Sequence, residues 1–485
     1  MMPEIDCLIE NGTVITMDAQ RRVLDNTSVA VHGGKIVEVG DADALRPKYT
    51  ARKTINARRR VVMPGLIDLH AHAGNSLIKQ IAGHFPERQW NNIFDFISTH
   101  TSRDWWYLDS VLSTLEKMKF GTTTSLYMLG SAPRSDNPEI AFANAEGAEK
   151  VGVRSIIGVG PSRPPFPRDF TSWENGRRVD RVVSFEESLE KMDETIGTWS
   201  RRSNDKVQMW ASTSRLLGKN PSDPLYDADN AKYLQPQLDA LQRTVENHGV
   251  GFHTHAFGSD LKLLNERAPR LLGPKTVLAH AWPLEADSIN LLAKTKARLA
   301  HCPRAEQVYS QQGRLPLPEL IDAGVVVGLG SDVTGLNRSW NLWEDIFFGA
   351  RLHRRLFNDP TKMPVGKVLE MATIDGAKAL GMDDRIGSLE AGKDADIILI
   401  NMWKPHIVPS FENMTTQRVA YFARGADVET VMVQGRILME ERVPLTVDEN
   451  DTLEWAEAEA GHTVEVFGLG PMMRRDAHYW KSGRH

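Results

Sequence analysis

Two cysteines, Cys7 and Cys302, stand in a chain of 485 residues. That is too few for a disulfide framework and fits a reducing compartment. No apolar run reaches the roughly 18 residues that would read as a membrane-spanning helix. The opening Met1-Met2-Pro3-Glu4-Ile5-Asp6 lacks the positive and apolar regions of a secretory leader. A cytoplasmic location is therefore the expectation, with no membrane partner. There is also no basic excess: 58 Lys and Arg face 63 Asp and Glu, for a net charge of −5, which argues against a nucleic-acid-binding surface. What remains is an ordinary globular composition, 41% hydrophobic and 25% charged, in a chain long enough for one large barrel plus a satellite.

The two ends read as β-structure. Cys7–Met17 predicts a strand, and Ser28–Val31 and Lys35–Val39 flank the turn His32-Gly33-Gly34 as a hairpin. Asp396–Ile400, Val428–Val433 and the stretch after Gly435 predict strands again. Between them, β-branched apolar runs alternate with helical patterns such as Trp105–Lys119 and Asp229–Asn247, the rhythm of parallel strands with crossover helices. Eight strands are predicted: Leu66–His72, Thr122–Met128, Arg154–Val159, Val207–Ser212, Gly251–His255, Thr276–His280, Arg298–His301 and Val325–Gly330. The fold class is α/β, a (β/α)₈ barrel of the TIM type with a small β-sandwich domain formed from both chain ends. The expected division is residues 1–62 and 386–450 for the small domain, 63–385 for the barrel and 451–485 for a C-terminal extension without assigned function. Gly74–Arg103 and Pro161–Arg177 read as long connections at the mouth, suited to lids or substrate walls and equally to packing or subunit surfaces.

The histidines carry the chemistry. His70-Ala71-His72 ends the first strand, and residues two apart on a strand face the same way. His253-Thr254-His255 ends the fifth, His280 the sixth and His301 the seventh, and Asp332 follows the eighth. A lone His-x-His reads as a pair of satisfied core histidines. Six histidines and an aspartate at the catalytic end of one barrel together read as a metal site, because imidazole suits zinc or iron and a carboxylate buried there needs a partner.

Pro64-Gly65-Leu66-Ile67-Asp68-Leu69-His70-Ala71-His72 resembles the opening motif of the amidohydrolase superfamily. Ala279-His280-Ala281-Trp282, His301-Cys302-Pro303-Arg304, Gly330-Ser331-Asp332-Val333 and Ile386–Asp396 strengthen the resemblance. It extends to the branch that holds the S-adenosylhomocysteine, guanine and cytosine deaminases and the triazine hydrolases. The resemblance implies that His70, His72, His255 and Asp332 bind one divalent metal, zinc or iron(II). It also implies that Asp332 takes a proton from the attacking water, that His280 hydrogen-bonds the water or the substrate, and that the chain forms a homodimer or higher oligomer. Strand four, Val207–Arg215, offers no lysine to bridge a second ion. Gly258 stands where that branch has a proton-carrying glutamate, three residues after the strand-five histidine. Glu306 is a candidate replacement, against its reading as an exposed loop charge. His253 is read as structural or as support for a ligand, and Cys302 as a buried filler. Trp90, Trp282, His301 and Glu306 are candidate substrate contacts, with Trp90 and Trp282 more readily read as core.

These residues predict hydrolysis of a C–N bond (amide, urea, carbamate or amidine-like) in a small, partly apolar molecule. Deamination or dehalogenation of a heteroaromatic ring is the alternative within enzymes. A silent barrel used as a scaffold is the alternative outside them, disfavoured by the intact ligand set.

Overall fold

The computed structural model describes residues 2–79, 81, 87–130, 134–174, 177–202, 205–214, 216, 228–308, 314–335 and 338–473. Arg215 and the basic tail from Arg474 lie outside them.

Eight parallel strands stand in chain order in one sheet: Leu66–Asp68, Thr122–Met128, Arg154–Val159, Val207–Thr213, Phe252–Ala256, Thr276–His280, Arg298–His301 and Val327–Leu329. The first and last come together through Leu69 N–H donating to Leu329 O at 2.8 Å, and through a parallel bridge between Ala71 and Asp332. The result is a nearly closed (β/α)₈ barrel. The strands are short and apolar because both of their faces are covered, by the barrel interior and by the helices outside. Local chemistry marks the crossovers. Ser102 caps the helix Arg103–Lys119 by accepting from Trp105 N–H at 3.0 Å. Pro138–Val151 starts behind Asn137 with proline in its first turn and stops at the left-handed Gly152.

The chain ends form a separate sheet of nine strands. Glu4–Ile15, Val23–His32 and Lys35–Asp41 make an antiparallel meander. Arg60–Pro64 joins it to Ile397–Asn401, which continues into Val428–Val433 and Arg436–Glu440. This sheet has its own apolar cluster, including Ile9, Val29, Val62, Ile397 and Leu399. A buried ion network ties it to the barrel: Arg154, in the third barrel strand, lies 3.0 Å from Asp394 and 3.4 Å from Asp396.

The two long connections are structured. Gly74–Arg103 contains the helix Glu87–Thr99, and Pro161–Arg177 contains Arg168–Glu174, paired with Arg177–Val183 as a hairpin. The C-terminal helix Glu449–Val466 lies against Arg103–Lys119, where Trp105 Nε1 donates to Thr463 Oγ1 at 3.0 Å. Among the described residues, no helix is long and apolar enough to cross a membrane.

Candidate metal centre

The barrel brings five of the predicted residues to one point. His72 Nε2 and His70 Nε2 lie 3.1 and 3.2 Å from His255 Nε2. Asp332 Oδ1 is 3.4 Å from both His70 Nε2 and His72 Nε2. His70, His280 and Asp332 also offer ligand atoms within 4.8 Å of one another. All but His255 are fully buried.

The hydrogen bonds behind these rings decide where their protons sit. His253 Nδ1 lies 2.8 Å from Val277 O, which can only accept, so that nitrogen carries the hydrogen and Nε2 is bare. His253 Nε2 lies 2.9 Å from His70 Nδ1, which therefore donates and leaves His70 Nε2 bare. His255 Nδ1 faces Ser214 O at 2.9 Å, and His72 Nδ1 faces Gly130 O at 3.3 Å, with the same outcome. Three lone pairs and a carboxylate oxygen thus face each other across about 3 Å with no hydrogen between them. Burial pushes His253 down to about 3 and holds His70 well below the ordinary imidazole range, so these two rings stay neutral. In a dry pocket this arrangement is repulsive unless a cation sits at its centre, and the nitrogen–oxygen donor set suits a divalent transition metal.

Asp332 is held from several sides. Its backbone N–H donates to His70 O at 2.8 Å, and its Oδ2 accepts from Arg338 at 2.9 Å. Burial opposes its charge, but the Arg338 guanidinium keeps its carboxyl well below the usual carboxylate range. Beneath it, Asp68 joins the first and last strands: it accepts from His70 N at 3.3 Å, Ser331 N at 3.0 Å and Ser331 Oγ at 2.6 Å. The buried Lys117 ammonium, 3.4 Å away, balances the Asp68 charge. Gly330 is required at this seam, because a Cβ there would stand 2.8 Å from His70 Cβ.

His280 completes the group. Its ring stacks on Phe257 at 5.1 Å and 13°, and Phe257 meets Trp282 edge-on at 5.4 Å. Burial pushes His280 down to about 4, and its Nδ1 has no hydrogen-bond partner. His280, Ala281 and Asp332 all have positive φ, a concentration of backbone strain at the mouth of the site. Gly258 also has positive φ, +50°, and a Cβ on it would meet nothing within 4 Å. The backbone at Gly258 thus leaves room for a Cβ among the described residues, and its left-handed conformation is one that favours glycine.

The other predicted contacts have neighbours of their own. His301 Nδ1 approaches Glu306 Oε1 at 3.1 Å without hydrogen-bond alignment, and its Nε2 lies 3.4 Å from His353 Nε2. The Glu306 side chain is 8% exposed, a buried carboxylate where the sequence suggested a surface charge. Trp90 lies in the helix Glu87–Thr99, 5.5 Å from Phe94, and Phe94 presses on Gly335 in the loop after Asp332. Arg338, Asp68, Lys117, Phe257 and His353 were missed by reading the sequence. Only Asp68 had a visible signal there, a charge inside an apolar strand.

A model of the amidohydrolase family matches residues 61–438. The chain belongs to the amidohydrolase family. Within it, the 5-methylthioadenosine/S-adenosylhomocysteine deaminase of Syntrophobacter fumaroxidans is 30% identical over 93% of this chain and 96% of its own length. The 5'-deoxyadenosine deaminase of Methanosarcina acetivorans is 28% identical over 95% of this chain and 98% of its own. A solved adenosine deaminase from Xanthomonas campestris with bound zinc shares the fold at a TM-score of 0.80 and 20% identity, covering 96% of this chain and all of that one. The zinc complex of atrazine chlorohydrolase from Arthrobacter aurescens does so at 0.75 and 22%, covering 94% and 100%. This amidohydrolase is accordingly a metal-dependent hydrolytic enzyme acting on C–N bonds.

Proposed function

We propose that the reaction is hydrolysis of an amide-, urea-, carbamate- or amidine-like C–N bond in a small, partly apolar molecule, with His70, His72, His255 and Asp332 holding one metal ion. The observation that carries this reading is the convergence of three bare Nε2 atoms and Asp332 Oδ1 in one buried pocket. A bound divalent ion lowers the pKa of water and polarises the electrophile. Asp332 accepts the proton of the attacking water at Oδ1, the oxygen turned toward the histidines. His280, kept neutral by burial, hydrogen-bonds the water or the substrate, and the proton that Asp332 took from the water passes to the departing amine, directly or relayed through His280. Phe257 and Trp282 form an aromatic wall that orients an apolar group and excludes water. His301, Glu306 and Trp90 are the further substrate contacts in this reading, with Glu306 near enough for its charge to raise the proton affinity of His280.

Gly258 favours this substrate class over an aromatic ring, because the side chain that would protonate a ring nitrogen is missing. Ring deamination is the second reading, favoured by the names of the relatives that match over nearly the whole chain. The test is to load the protein with zinc and follow release of ammonia or amine from a panel of amides, ureas and carbamates beside 5'-deoxyadenosine and 5-methylthioadenosine. Turnover of the first group alone supports the proposal, and loss of adenine absorbance with ammonia release overturns it in favour of the second. Zinc is the proposed ion, since both solved neighbours hold it, with iron(II) the alternative. A cytoplasmic homodimer or higher oligomer is the proposed setting.

A further inference from the structure

Asp332 divides its two carboxylate oxygens between different tasks. Oδ1 faces His70 and His72 at 3.4 Å each, whereas Oδ2 accepts from Arg338 at 2.9 Å. Arg338 is itself held. Its Nε donates to Val333 O at 3.0 Å, so one guanidinium grips both the carboxylate and the backbone one residue beyond it. The chain on its far side is anchored three times: Arg304 donates to Ser339 O at 3.0 Å, Trp340 N–H donates to Glu116 Oε1 at 2.9 Å, and Trp340 Nε1 donates to Ser76 Oγ at 2.9 Å. Both Arg338 and Asp332 are buried, so water does not compete for the pair. A flexible lysine would supply charge here, but it would not make two directed contacts at once.

From this geometry we propose that Arg338 is a positioning residue that keeps Oδ2 away from the metal and confines Asp332 to binding through one oxygen. The inference rests on the proposed metal site. With Oδ2 engaged, one coordination position stays open for water or substrate. The guanidinium also places a positive charge beside the ion, so metal affinity is given up for an open site.

The test compares wild type, Arg338→Met and Arg338→Lys as purified metal-free proteins titrated with cobalt(II). Affinity is read by competition with a chelator, and coordination by the visible absorption of the cobalt. In Arg338→Met the expected result is a weakened, shifted cobalt spectrum, as Asp332 brings in its second oxygen, with affinity higher by about tenfold or more. In Arg338→Lys the spectrum moves part of the way and affinity stays near wild type. A wild-type spectrum in both variants, or lower affinity in Arg338→Met, overturns the proposal. If Arg338→Met does not fold, an unchanged spectrum in Arg338→Lys is enough to overturn it. Failure of the wild-type protein itself to bind cobalt refutes the proposed metal site instead.

Discussion

Two groups of buried histidines lie at the same end of this barrel, and they differ in the hydrogen bonds behind their rings. In the first, His70, His72 and His255 each turn Nδ1 toward an acceptor behind the ring and leave Nε2 bare toward a common centre. In the second, His301 and His353 approach through Nε2 at 3.4 Å, and neither Nδ1 has an aligned hydrogen-bond partner. Both groups are largely buried and each has a carboxylate beside it, Asp332 in the first and Glu306 in the second. The difference is what stands behind each ring: an outer acceptor fixes the tautomer and aims the lone pair. Histidine at a strand end is thus insufficient to mark a ligand, and the backing hydrogen bond is the better sign.

Removing a ring from each group tests this contrast most severely. His255→Ala is expected to lower bound metal from about one equivalent per chain to near zero by elemental analysis, with activity lost. His353→Gln is expected to leave metal content at the wild-type value. If both variants kept their metal, the two groups would be equivalent and the contrast wrong.

The next largest effect is one of stability alone. Arg304, which follows the second group, is paired with the fully buried Asp345 at 2.7 Å. Arg304→Met leaves that carboxylate unpaired and should cost about 3–5 kcal/mol, read as a lower denaturant midpoint at unchanged metal stoichiometry. His253→Gln probes the backing bond directly. It removes the ring whose Nε2 accepts from His70, and metal affinity should fall about 10- to 100-fold in a chelator competition while stoichiometry at saturation stays at one.

The smallest effect is on acid sensitivity. Burial pushes both His253 and His353 down to about 3. Between the ordinary imidazole value near 6.5 and that value, the unfolded chain binds protons that the folded one does not. Stability of the metal-free protein should therefore fall as pH drops through this window, by about 1.4 kcal/mol per pH unit for each such histidine. His353→Phe should flatten the slope by one such increment in denaturant titrations from pH 7 to pH 5, and an unchanged slope would show that His353 titrates alike folded and unfolded.

The eight barrel strands were legible because each is a short apolar run between helical patterns; Thr122–Met128, Arg154–Val159, Thr276–His280 and Arg298–His301 have the expected bounds, and the other four differ by a few residues at one or both ends. The convergence of His70, His72, His255, His280 and Asp332 was legible too, since parallel strands place their last residues at one end. The helix Glu87–Thr99 was not, because Trp90, Phe94 and Ile97 are diluted among polar residues in a stretch read as a loop. Arg338 carried no sequence signal: its partner is set by how the loop after Asp332 turns back, and pairing of that kind has no period. Glu306 read as a surface charge because burial by the neighbouring loops is a tertiary outcome.

The sheet shared by the chain ends bears on how the protein is made. The strand Arg60–Pro64 pairs with Ile397–Asn401, which leaves the ribosome more than three hundred residues later. At about 5–20 residues per second, that edge waits on the order of half a minute for its neighbour. During the wait Val61, Val62 and Met63, all buried in the finished protein, present an open apolar strand to other nascent chains. The strand that leads directly into His70-Ala71-His72 is therefore among the last to be covered, and synthesis at high expression is when this enzyme is most exposed to aggregation.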